Sequence, residues 1–128
     1  MTPKKAISTS NAPGAIGPYS QAIASGNLLF TSGQLPIDPA TGKMAEGSVA
    51  DHAHQAIKNL IAIIEAAGGS LDNVVKTSVF LADIGDFQAV NAVYAEYFST
   101  PFPARSAYQV AALPLGADIE IEAIVVIG

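Results

Sequence analysis

Asp118-Ile119-Glu120-Ile121-Glu122-Ala123-Ile124-Val125-Val126-Ile127 decides the fold. In an extended chain, Ile119, Ile121, Ala123, Val125 and Ile127 fall on one side, and Asp118, Glu120, Glu122, Ile124 and Val126 on the other. One side is wholly apolar and reads as core. The other begins acidic and ends apolar, as expected where a strand leaves a polar pocket and enters a subunit contact. Working outward, Ala104–Ala111 reads as a second such strand, with Arg105, Ala107, Gln109 and Ala111 opposite Ser106, Tyr108 and Val110. Further runs rich in β-branched and apolar residues, bounded by turn formers, predict strands at Lys4–Ser8, Ser20–Ala24, Leu28–Gln34 and Val74–Ala82. Ser25-Gly26-Asn27 predicts a tight hairpin between the second and third of the six.

Two segments carry helical rhythm instead. From Ser48 to Ala67, apolar residues recur at Val49, Ala53, Ala56, Ile57, Leu60, Ile63, Ile64 and Ala67, one buried face. Ser48 with Asp51 forms a capping pair at its start, and Gly68-Gly69 stops it. The second helix spans about Asp86 to Phe98, with Phe87, Val90, Tyr94 and Phe98 on one stripe and Pro101 beyond. The predicted order is β-β-β-α-β-α-β-β, and two helices can cover only one face of such a sheet. The other face must meet solvent or another chain.

Composition narrows the functional classes. A chain of 128 residues fits one domain, 1–128, with its own core. Its charged residues are 13% of the total, against about 25% in an average soluble domain. Half the residues are hydrophobic, and so few charges cover a small globule's surface poorly, which predicts a homo-oligomer. Six basic residues, at Lys4, Lys5, Lys43, Lys58, Lys76 and Arg105, are scattered in a chain of net charge −5. That disfavours nucleic acid, whose binders neutralise phosphates with a basic patch. No apolar run approaches the ~20 residues of a membrane span, and the opening Met1-Thr2-Pro3-Lys4-Lys5-Ala6 lacks the apolar stretch of a secretory signal. Without cysteine there is no disulfide and no thiol chemistry. A cytoplasmic setting is expected.

Against this sparse charge, Arg105 and Glu120 inside apolar strands are the leading candidates. A guanidinium binds a carboxylate through two parallel hydrogen bonds, and a glutamate takes a proton from water. Together they suit a small 2-oxo or 2-imino acid. The plain alternative is a cross-strand ion pair, and spacing does not separate Glu120 from Glu122 as the working carboxylate. Ala12-Pro13-Gly14-Ala15-Ile16-Gly17-Pro18-Tyr19-Ser20 is a stiff turn delivering Tyr19 to a strand, and Thr31-Ser32-Gly33-Gln34 ends a strand on small residues that let another group approach. Asn91, one helical turn after Phe87, shares that ring's side and needs a partner, either a loop or a ligand pocket. His52 and His54 point to nearly opposite sides of a helix and cannot share a metal. The glycines match no nucleotide-binding loop.

Ala12–Gln21, Thr31–Gln34, Val75–Thr77, Asp86-Phe87 with Val90-Asn91, Pro103–Ser106, Val110–Pro114 and Ile119–Ala123 together resemble the RidA (reactive intermediate deaminase) branch of the YjgF family, over about residues 7 to 127. The resemblance implies an α+β, chorismate-mutase-like β-sheet with two helices packed on one face, assembling as a homotrimer with a site in each cleft between subunits. It implies 2-iminobutanoate/2-iminopropanoate deaminase activity, needing neither cofactor nor metal, on imines and enamines released by pyridoxal-phosphate enzymes. By position, Arg105 clamps the substrate carboxylate and Glu120 polarises the attacking water. Tyr19 and Ser32 line the pocket, Phe87 and Asn91 shape its wall, and the main-chain N–H of Ala107 donates to the same carboxylate. Many relatives carry Cys where this chain has Ala107, so no thiol role transfers. Two other classes compete: a non-catalytic trimer that binds small carboxylates or acts as a chaperone, and an endoribonuclease or translation inhibitor, which the acidic surface disfavours.

Overall fold

A computed structural model, describing residues 3–128, sets the alternating C-terminal segment inside a six-stranded mixed sheet. Met1 and Thr2, which begin the segment read above as no secretory signal, lie outside the described residues. The elements are β1 (Lys4–Ile7), β2 (Ala22–Ser25), β3 (Leu28–Thr31), β4 (Ile37–Asp38), β5 (Lys43–Met44), α1 (Val49–Ala66), β6 (Val74–Leu81), α2 (Phe87–Tyr97), β7 (Ala104–Gln109) and β8 (Ile119–Val126). The class is α+β. The large sheet runs β1-β2-β3-β8-β6-β7; β6 and β7 are parallel and every other neighbouring pair is antiparallel.

Burial along β8 alternates over its whole length, with Ile119, Ile121, Ala123 and Val125 in the core and Glu120, Glu122, Ile124 and Val126 half-buried opposite. The core face is covered by α1, which buries Ala53, Ala56, Ile57, Leu60, Ile63 and Ile64, and by α2, which buries Val90, Val93 and Tyr94. Ser48 and Asp51 exchange the two bonds of a capping box. Gly68, at φ 87, lets Gly69 N–H turn back to the Ile64 carbonyl and close the helix. The hairpin loop is Gly26-Asn27, with Gly26 at φ 60 as a two-residue turn of primed type requires. Among the described residues no helix covers the sheet's other face. There Phe30 is 43% and Tyr108 56% exposed, large rings left on the surface.

Several strand boundaries shift, and one hairpin is new. The third strand ends at Thr31 rather than Gln34. Ser32 N–H bonds the Gln21 carbonyl, and the chain regains the sheet only where Gln34 and Ile121 exchange backbone bonds. The second begins at Ala22 rather than Ser20, because Gln21 turns its amide into the preceding loop. The hairpin of β4 and β5 was not foreseen, since two-residue strands carry no readable period.

Candidate active site

Thr77 of β6 stands opposite Arg105 of β7, and Phe80 of β6 opposite Glu120 of β8. Thr77 and Phe80 are three residues apart, so the side chains of Arg105 and Glu120 leave opposite faces of the sheet. Two strand spacings and three residue rises put their Cα atoms about 14 Å apart. The cross-strand ion pair that their types allow is therefore absent, and the two groups cannot meet on one small substrate within a single chain.

The arginine half lies where edge strand β7 meets α2. Arg105 Nη1 donates to Asn91 Oδ1 at 2.8 Å, and its guanidinium carbon sits 4.7 Å from the Tyr94 ring centroid and 5.2 Å from that of Phe87. Phe87 and Asn91, one helical turn apart, thus converge on the same cation. Among the described residues no carboxylate neutralises it, so its remaining N–H groups are left for a ligand. Val110 N–H bonds Leu81 of β6. By alternation, the N–H groups of Ala107 and Arg105 point away from β6, off the free edge. Ala107 therefore offers a main-chain donor beside the guanidinium.

The carboxylate half is a cleft of about 430 Å³ at the end of β3 and β8, lined by Tyr19, Ser32, Gly33, Glu120 and the apolar Ile16, Leu35 and Leu115. Glu120 lines it and Glu122 does not. Gly33 makes this possible, because a Cβ there would lie 2.6 Å from the Glu120 carboxyl carbon. Burial, reinforced by the charge of Glu122 on the same face, raises the Glu120 carboxyl above its ordinary value. The Ser32 hydroxyl donates to the Ser20 carbonyl, and the Tyr19 hydroxyl is 3.5 Å from the Ile16 N–H at the cleft mouth. Of the seven candidate residues and Glu122, the structure thus groups Arg105, Phe87, Asn91 and Ala107 at one place and Tyr19, Ser32 and Glu120 at another.

Several residues that hold these halves escaped the sequence reading. Buried Gln21 donates its amide to the carbonyls of Thr9, Ala12 and Pro13 and accepts from Thr9 N–H, fixing the loop that carries Tyr19. Asn59 of α1 donates to the Leu35 and Ile37 carbonyls and fixes the opposite wall. For Asn59, a polar residue among the strong apolar periodicity of α1, that periodicity was the available signal. Leu115 holds φ 59 on the cleft rim, a strained left-handed conformation for a leucine. His52 is bound to Asp118 at 2.8 Å and His54 to Tyr97 at 2.8 Å, so the two rings are engaged separately. Among the described residues, no three His, Asp or Glu side chains converge as a metal site would need, and no helix is long and apolar enough to cross a membrane.

Comparison with known proteins bears on this arrangement directly. Residues 9–127 match the family described as endoribonuclease L-PSP. The chain belongs to that family, the YjgF family. Within the family it is 54% identical over 125 residues to the human 2-iminobutanoate/2-iminopropanoate deaminase, covering 98% of this chain and 91% of the human one. The solved structure of RidA from the Antarctic bacterium Psychrobacter sp. PAMC 21119 superposes with a TM-score of 0.92 at 50% identity, over 96% of this chain and 99% of that one. E. coli TdcF, solved with bound serine, gives a TM-score of 0.92 at 44% identity, over 97% and 99% of the two chains. The RidA-branch resemblance of the motifs is thereby borne out.

Proposed function

We infer that this protein is a 2-iminobutanoate/2-iminopropanoate deaminase, converting 2-imino acids and water to 2-oxo acids and ammonia without a cofactor. The observation that carries the inference is the pairing of an arginine with unused donors and a half-buried carboxylate of raised proton affinity, in a chain 54% identical to a curated deaminase. Because the two groups leave opposite faces of one sheet, the reading requires two copies per site. Arg105, Asn91, Phe87 and the Ala107 N–H of one copy hold the carboxylate. Glu120, Ser32 and Tyr19 of its neighbour surround the imine carbon. A homotrimer of single-domain chains (1–128) satisfies this in each of its clefts, and the rings on the uncovered sheet face suit such a contact. A cytoplasmic setting is proposed on the cysteine-free composition alone. The imines and enamines concerned are those that pyridoxal-phosphate enzymes release.

The chemistry follows from the parts. A protonated imine, held by its carboxylate, is electrophilic at carbon. Glu120 accepts a proton from water as the oxygen adds to that carbon, giving a carbinolamine. The same proton then passes to the amine nitrogen, the C–N bond breaks with its electrons leaving on nitrogen, and Glu120, ionised again, takes the hydroxyl proton as the carbonyl forms and ammonia departs. A raised carboxyl affinity suits both the taking and the return of that proton. The family's description names an endoribonuclease. Here the net charge is −5 and the two histidines are engaged apart from the cleft, which favours the small anion as substrate.

The test is ammonia release from iminobutanoate generated in place by a dehydratase. Arg105→Ala is expected to lose substrate binding, and Glu120→Ala to lose turnover by about 100-fold or more while still binding 2-oxobutanoate. An Arg105→Ala protein with the parent rate would overturn the reading.

A further inference from the structure

We propose that Tyr94 is a positioning residue for substrate binding, the platform that sets the plane of the Arg105 guanidinium. The proposal rests on the assignment of Arg105 as the carboxylate clamp. Tyr94 is 5% exposed, yet its ring face meets the guanidinium at 4.7 Å, closer than Phe87 at 5.2 Å. A flat cation lying over an aromatic face is held in its plane and remains able to donate in that plane. One in-plane donor is already taken by Asn91. Ring and amide together fix the fork's tilt and rotation, and its free edge is left for a carboxylate.

The ring is itself immobilised. Its hydroxyl lies 2.9 Å from Thr77 Oγ1, and its other neighbour is Phe98, stacked with a centroid separation of 4.2 Å. Thr77 has no exposed surface and stands opposite Arg105 in the β6–β7 register. A hydroxyl in that position, on a face otherwise filled by Val79 and Leu81, needs a reason, and Tyr94 is its only side-chain partner among the described residues. Thr77 thus anchors Tyr94, and Tyr94 carries Arg105. The substrate carboxylate is bound equally in ground and transition states, so a loosened clamp raises KM and leaves kcat alone.

Tyr94→Leu, which removes the ring, is expected to raise KM for iminobutanoate and Kd for 2-oxobutanoate about tenfold, with kcat within about twofold of the parent. Tyr94→Phe, which keeps the ring and loses only its bond to Thr77, should raise KM no more than a few-fold, as Thr77→Val should. Val93→Ala, an α2 core truncation, controls for general loosening and should leave KM unchanged. Should Tyr94→Leu fail to fold, Thr77→Val frees the ring without removing it and should raise KM a few-fold at constant kcat. The proposal is overturned if the variants that fold keep the parent KM while Arg105→Ala abolishes binding, or if Val93→Ala raises KM as much as Tyr94→Leu. An Arg105→Ala protein that binds normally removes the clamp itself, a failure of the underlying reading and of this one with it.

Discussion

Glu120 carries its charge where the fold disfavours it. Burial weakens its hydration, and Glu122 repels it from the same face, so the folded chain holds the Glu120 proton more tightly than the unfolded chain does. The sign of the linkage follows. Below the unfolded value both states are protonated and nothing is lost. Above the folded value the ionised group costs stability. Glu120→Gln removes that cost, so it should raise Tm by up to a few degrees at pH 7–8, with the gain fading toward about pH 4. Turnover should be lost in the same variant. Thermal melts across that range check it, and a stabilisation of equal size at both ends would show that something other than charge burial is involved. A residue that weakens the fold while enabling a reaction is the usual mark of a working group. Gly33 belongs to the same balance, since only a missing Cβ lets the carboxylate into its place.

At the scale of elements, the parts of the fold that were legible are those where one period repeats. The alternation of β8 and the 3.6-residue rhythm of α1 each run long enough to fix an element and its buried face. The order of crossovers then follows, including the single covered face. The sheet register was not legible. Parity within β7 and within β8 could be read separately, but that Arg105 and Glu120 face opposite ways depends on how both align against β6. The break after Thr31 was likewise half legible: a glycine announced a close approach, and only the fold shows that a carboxylate from β8 makes it. Gln21 lies within a quoted motif, yet its importance comes from four bonds to a loop that has no secondary structure of its own. Gln21→Leu leaves those backbone groups unpaired at a cost of about 1–3 kcal/mol. The expected result is faster amide exchange across residues 9–19, a lower Tm and reduced turnover. Unchanged exchange in that loop would mean its conformation is set by its prolines instead.

For the whole molecule, the decisive property is that the two halves of the candidate site face away from each other. An arginine on the helix side of an edge strand and a glutamate on the uncovered side can address one substrate only if the chain repeats and a neighbour turns its other surface toward the first. The low charge and the exposed rings of Phe30 and Tyr108 favour such an assembly, but they do not say that the contact builds the site. Complementation does. Arg105→Ala and Glu120→Ala chains are each expected to be inactive alone. Unfolded together in equal amounts and refolded, they would form some sites in which an intact Arg105 from one chain meets an intact Glu120 from another. Random assortment makes about one site in four of this kind, so the mixture should recover about a quarter of the parent activity. Sedimentation or native mass measurement on the same sample gives the number of copies, expected to be three. If each site instead lay within one chain, every site in the mixture would lack one of the two groups, and activity would stay at the level of the separate variants whatever the oligomeric state.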